Sequence, residues 1–231
     1  MSNTHNMKES LKELFAKLNN HCNYLVLRNW DDLFSEDVYE AGHADIDILC
    51  VDRASFVELT GARRIHKEKN RDNYIVPIDV KEIRFDVRWV GDGYYPASWE
   101  QEMLNSRVMN DAGVFIISEK DYFYSLAYHA LLQKKELSVE YANKLNTVYD
   151  SFNAEHDILS ADDILQKLSL FLLDNNWAAE IPMDPGVFLN MQVFRDLPHN
   201  KTISRILSRK AFRMKAMLSR QIRRITNRIK K

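Results

Sequence analysis

The residues of this chain best suited to chemistry are carboxylates. Gly42-His43-Ala44-Asp45-Ile46-Asp47-Ile48 sets two aspartates two positions apart at the entrance of an apolar run. On an extended strand both side chains project to one face, about 6–7 Å apart. Carboxylates placed this way can share hard divalent cations, as Mg²⁺-dependent (or Mn²⁺-dependent) phosphoryl transfer requires. The same two residues are equally suited to capping a strand or pairing with a nearby arginine. A third carboxylate, Asp86, stands within Arg84-Phe85-Asp86-Val87-Arg88. Alternation puts it on the face of Arg84 and Arg88, opposite Phe85 and Val87. On a strand beside the first pair it would complete a two-metal set. Its other reading is an ion pair with those arginines.

Further candidates surround these acids. Arg28 and Asn29 follow an apolar run, and a guanidinium binds phosphate oxygens as a fork. His43 reads either as a phosphate contact or as a solvated strand-end residue. In Gly91-Asp92-Gly93-Tyr94-Tyr95 the glycines flanking Asp92 permit close approach to a ligand, and they equally serve a strand-to-helix turn. Tyr94, Tyr95 and Trp99 offer a stacking surface for a sugar or base, against ordinary aromatic packing. His129 has apolar neighbours and reads better as a hydrogen-bonded core histidine, with Lys134 and Lys135 one turn on within reach of a phosphate. No G-x-x-x-x-G-K-[ST] loop, G-x-S-x-G elbow or H-E-x-x-H helix is present, so P-loop hydrolases, α/β-hydrolases and zincins lack their usual evidence.

The elements that must position these residues follow from hydrophobic period. Leu11, Leu14, Phe15 and Leu18 recur at helical spacing. The short apolar runs at 24–28 and 46–51 read as neighbouring buried strands. Residues 73–80 and 82–90 alternate, and Ile83, Phe85, Val87 and Trp89 form the inward set of a half-buried strand. A short helical or irregular piece at 54–61 and a charged patch at 63–72 lie between. From about residue 98 helical spacing dominates, over 119–135, 138–152 and 160–175. Ser118 before Glu119 and Asp121 predicts an N-cap, and Ser160 with Asp163 an imperfect capping box. Pro182 and Pro185 punctuate a loop, and a last helix begins near Thr202. This predicts an α+β chain: a sheet domain at 1–97, a helical domain at 98–194 and a basic tail at 195–231.

Composition agrees. The 231 residues are 45% hydrophobic and 28% charged with 6 Gly and 5 Pro, which suits a globular chain with a sizeable core and disfavours disordered, collagen-like or many-turned all-β chains. The two cysteines, Cys22 and Cys50, lie in no metal or disulfide pattern and read as buried thiols of a reducing compartment. The N-terminus lacks the apolar core of a secretory signal and no run approaches a membrane span, so the expected location is cytoplasmic. Net charge is −1 overall, yet residues 195–231 carry 13 Lys/Arg against one acid, a net of +12, leaving −13 on the preceding 194. In that tail Ile203, Ile206, Leu207, Met214, Met217, Leu218, Ile222, Ile225 and Ile229 recur at steps of three and four, with arginines on the remaining faces. This is the pattern of a basic amphipathic helix that lies on anionic membranes. Binding to the chain's own acidic body or to another copy, and binding to nucleic acid, are the alternatives. Phe212 as the tail's sole aromatic disfavours nucleic acid.

Gly42 followed by Asp45-Ile46-Asp47-Ile48, with Asp86 on a later strand, resembles the nucleotidyltransferase superfamily of polymerase-beta type over roughly residues 24–90. Within it the chain is most similar to members found among bacterial surface-polysaccharide genes, and more distantly to fukutin-type phosphosugar and choline-phosphate transferases. The resemblance implies a small mixed sheet followed by helices. It implies Asp45 and Asp47 as metal ligands, Asp86 as third ligand or general base, and Mg²⁺ or Mn²⁺ as cofactor. It further implies a nucleoside triphosphate or nucleotide-activated donor and a sugar or sugar-phosphate acceptor. The superfamily's Gly-Ser or Gly-Gly pair after the first strand is replaced here by Leu27-Arg28-Asn29-Trp30. That shifts phosphate contact to Arg28 and Asn29, with Arg84 or Arg88 neutralising phosphate charge. The runner-up among enzymes is a metal-dependent glycosyltransferase, weakened by the short stretch before Asp45. Outside enzymes it is a non-catalytic protein that keeps the fold and docks through its tail.

Overall fold

The computed structural model describes residues 2–35, 45–66, 72–79, 81–153, 158–200 and 202–229, with side chains described between residues 10 and 219. It is α+β: among the described residues eight helices accompany one seven-stranded mixed sheet. The strands are β1 (Tyr24–Val26), β2 (Asp45–Cys50), β3 (Arg63–Arg64), β4 (Asn73–Ile78), β5 (Lys81–Trp89), β6 (Val108–Met109) and β7 (Phe115–Ile116), in the order β3-β4-β5-β2-β1-β7-β6. β2 is antiparallel to β1 and parallel to β5, and β7 is parallel to β1.

The parity of β1, β2 and β5 builds a different layer on each face. Val26, Ile46, Ile48, Phe85 and Val87 pack under α1 (Ser2–His21) and α2 (Arg53–Thr60), whose Leu11, Phe15, Leu18 and Phe56 are buried with them. Each such side chain contributes roughly 1.5–3 kcal/mol by leaving water. α2 starts where Asp52 accepts from Ala54 N and Ser55 N at 3.1 and 2.8 Å and stops at Gly61, in the left-handed region at φ +68°.

On the other face Leu25, Leu27 and Leu49 pack on the helices α3 (Ala97–Asn105), α4 (Glu119–Leu132), α5 (Val139–Phe152) and α6 (Ala161–Asp174). α4 is buried nearly all round, including Phe123, Leu126, Tyr128 and His129, with α5 and α6 packed against it. Ser118, Ser138 and Ser160 cap α4, α5 and α6, and Ser160 with Asp163 forms the full capping box. α7 (Met191–Asp196) and the long α8 (Ile203–Ile229) complete the chain.

The sequence reading left four short pieces unseen. β3 lies in the charged patch, β6 and β7 lie in the predicted helical domain, and α7 lies in the loop before the tail. Two-residue strands are too short to carry a period and exist only because a neighbour pairs with them. β7 pairs with β1, so the sheet continues past residue 97 and that boundary does not part it from the helices. Cys22 and Cys50 are buried free thiols, as expected.

Candidate active site

The carboxylates stand where strand register places them. On the parallel pair β2·β5, Asp47 lies opposite Asp86 and Asp45 opposite Arg84. Adjacent strands are about 4.8 Å apart, so Asp47 and Asp86 are lateral neighbours on the face toward the helices, as alternation predicted. Asp45, at the strand's start, is exposed; Asp47 is buried and Asp86 half-buried. All three line a cavity of about 880 Å³ between this face and the helical layer, roomy enough for a nucleotide.

Each buried acid has an answering group. Arg28 grips Asp47 as a fork, Nη2 donating to Oδ1 at 2.6 Å and Nε to Oδ2 at 3.2 Å. Burial opposes the Arg28 charge, but Asp47 together with Tyr94 and Tyr95 outweighs it and leaves the guanidinium well above its usual value. Arg28 Nη1, also buried, has no hydrogen-bond partner among the described residues. Asn73 donates Nδ2 to Asp86. Burial, then the charges of Asp72 and Asp47, push the Asp86 carboxyl up to about 6. Asp72, not singled out in the sequence, pairs with Arg88, and burial raises it despite that partner.

The opposite wall is basic and aromatic. Lys134, Lys135 and Lys144 line it with Tyr94, Tyr141 and His129. Lys144 Nζ donates to Asn29 Oδ1 at 3.1 Å. Asn29 itself sits at φ +57°, the left-handed region glycine favours and asparagine tolerates. His129 Nδ1 lies 2.7 Å from Tyr94 Oη and 3.1 Å from Gln133 Oε1, and Nε2 lies 3.2 Å from Tyr141 Oη. Burial, reinforced by Arg28 and Lys134, holds its pKa well below the usual value, so it is neutral near pH 7. It is the hydrogen-bonded core histidine the sequence suggested, although it also borders the cavity.

Not every expected residue arrives. Arg84, exposed on the correct face of β5, lies outside the cavity lining. Asp92 also lies outside it: it is 3% exposed, accepts from Tyr94 N at 2.7 Å and faces Arg88. It holds the turn rather than a ligand. Tyr95 and Trp99 are wholly buried in the helical core. His43 and Gly42 lie outside the described residues. Among the described residues no three His, Cys, Asp or Glu side chains stand close enough to hold a metal ion as they are. Asp72 and Asp184 had no sequence signal; Tyr141 and Lys144 did, lying three apart on one face of a predicted helix.

No protein-family model, curated protein or solved structure matches the chain. The resemblance drawn from the sequence therefore rests on the acids and the strands that carry them.

Proposed function

We propose that the chain is a metal-dependent nucleotidyl- or phosphotransferase that joins a phosphorus-containing group to a sugar or sugar-phosphate hydroxyl in surface-polysaccharide assembly. The observation that carries this reading is the divided cavity, with Asp45, Asp47 and Asp86 on the sheet wall beside Arg28 and Arg88, and Lys134, Lys135 and Lys144 facing them from the helical side. The polysaccharide setting comes from the resemblance alone.

The donor set has the right chemistry for Mg²⁺ or Mn²⁺: hard carboxylate oxygens, with Asp86 raised in part by like charges that a cation would offset. Asp45 and Asp47 would hold it once a donor's phosphate oxygens complete the shell. A bound cation supplies charge neutralisation at the phosphoryl oxygens. The chain supplies the rest. Arg28, held by two donors on Asp47, sets a fixed positive charge beside the phosphoryl oxygens. Asn29 takes a glycine-like backbone conformation in the stretch that replaces the superfamily's Gly-Ser or Gly-Gly pair. Lys134, Lys135 and Lys144 neutralise the leaving phosphates. With Asp45 and Asp47 as the metal ligands, Asp86 on the neighbouring strand acts instead as the general base that accepts the acceptor's hydroxyl proton as its oxygen attacks phosphorus and the bond to the leaving phosphate breaks.

One observation favours the non-catalytic reading. Arg28, Asn73 and Arg88 already answer Asp47, Asp86 and Asp72, so these acids can stay clustered without a cation. A thermal-shift panel of ATP, CTP, GTP, UTP and nucleotide sugars, with and without Mg²⁺ or Mn²⁺, separates the two. The transferase reading expects a metal-dependent rise in melting temperature with one donor, lost in Asp45→Ala. Asp45 is preferred to Asp47, whose loss would leave Arg28 buried and unpaired. No metal-dependent rise with any donor supports the binding-protein reading.

A further inference from the structure

The long C-terminal helix meets the rest of the molecule through one side. Arg205 donates Nη1 to Glu180 Oε2 and to the Ile181 carbonyl, both at 2.9 Å. One turn on, Arg209 donates Nη1 to the Asp184 carbonyl at 3.1 Å and Nη2 to that of Val187. At 3.6 residues per turn these two arginines share a face, and Ile206 beside them packs on the helical core. Ile203, Leu207, Met214 and Leu218 share the opposite face, and they are 74, 58, 60 and 52% exposed. So many large apolar side chains in a row on one exposed face mark an interaction surface. Among the described residues no helix is long and apolar enough to cross a membrane.

The charge beside that row selects what covers it. Residues 203–229 hold nine Lys/Arg and no Asp or Glu. Pairing this face with the same helix of a second copy would set one strongly basic helix against another, and like charges oppose that pairing. Nucleic acid would answer the charge and leave the apolar row wet. An anionic bilayer answers both. We propose that α8 lies in the headgroup boundary of an anionic lipid bilayer, with Leu207, Met214 and Leu218 inserted. The arginine clamp extends the consequence inward. Asp184 and Val187, whose carbonyls Arg209 holds, also line the 880 Å³ cavity, so docking the helix fixes one wall of that cavity at the membrane. This surface stands whether or not the cavity is catalytic.

The test mixes the full chain with vesicles of phosphatidylcholine alone or of phosphatidylcholine with phosphatidylglycerol. The chain should sediment with the anionic vesicles and be released as salt rises. Binding by the variant Leu207→Ser/Met214→Ser/Leu218→Ser should weaken by more than about tenfold, with its melting temperature preserved because the three sites are exposed. Equal binding to neutral vesicles, no sedimentation, or binding untouched by the triple substitution overturns the proposal. So does a dimer, seen by light scattering, that the substitution dissociates, which assigns the face to a second copy. For the link to the cavity, amide exchange over residues 183–188 should slow on anionic vesicles in the wild type and not in Arg209→Ala. Unchanged exchange in the wild type breaks that link.

Discussion

Asp86 concentrates the electrostatics of the cavity. Its carboxyl is pushed from an ordinary 3.8 to about 6, by burial first and by Asp72 and Asp47 next. Between those values the folded chain keeps a proton that the unfolded chain has lost. Stability from this source is therefore present at low pH and is lost as pH rises to about 6. His129 acts in the opposite sense: buried and neutral, it resists the proton the unfolded chain accepts below about 6.5, so acid destabilises through it. Because the two overlap, the readout is a difference. Asp86→Asn should match the wild type near pH 4 and become the more stable by up to about 2 kcal/mol by pH 7. Mg²⁺ should narrow that gap, since a cation favours the ionised carboxylate. A gap that does not change with pH would show that Asp86 titrates normally.

The turn after β5 shows how an element answers several demands with few residues. Glu100, in the first turn of α3, accepts from Gly91 N at 2.7 Å and from Tyr95 N at 3.1 Å, while Asp92 accepts from Tyr94 N. Tyr94 is thereby turned into the cavity and Tyr95 into the core. The glycines were read as room for a ligand or as a plain turn. Gly93 serves the turn and also a close approach within the chain: at φ +75°, an added Cβ there would meet the Ile181 carbonyl at 2.9 Å and the Arg205 guanidinium. The close approach is made by the segment that anchors α8. Gly91, at φ +87°, has open space around it. Gly93→Ala should cost roughly 1–3 kcal/mol more than Gly91→Ala in urea unfolding, because strain is common to both and the clash belongs to one. Equal losses would remove Gly93 from the anchoring of α8.

Across the whole molecule, one sheet serves two cores. Tyr24, Val26, Ile46 and Ile48 pack under α1 and α2, while Leu25, Leu27 and Leu49 on the same strands pack under the helical layer. A fragment of residues 1–97 would keep the first core except for Val114 and bare the second. It would also lose β7, the partner of β1. Such a fragment is expected to show no cooperative thermal transition by circular dichroism, while the full chain unfolds in one step. An independently folding 1–97 fragment would restore the boundary that the change of hydrophobic period suggested.

The local content of this protein was legible without coordinates. The four longer strands, the long helices and the caps at Ser118 and Ser160 follow from period and end chemistry, which act between residues close in sequence. The shared face of Asp45 and Asp47, and of Asp86 with Arg88, follows from the two-residue repeat of a strand. Everything that joins distant segments was decided by the tertiary structure. Register alone sets Asp47 against Asp86, and packing turns Arg28 onto Asp47 rather than leaving it free. Asp72 and Asp184 enter the cavity from a strand edge and a loop whose sequences carry no period. Arg84, although on the cavity's face of β5, and Asp92, held within the turn, both chosen for type and spacing, lie outside it. A side chain's type limits the chemistry it can do, but only the folded chain determines which partner has already engaged it.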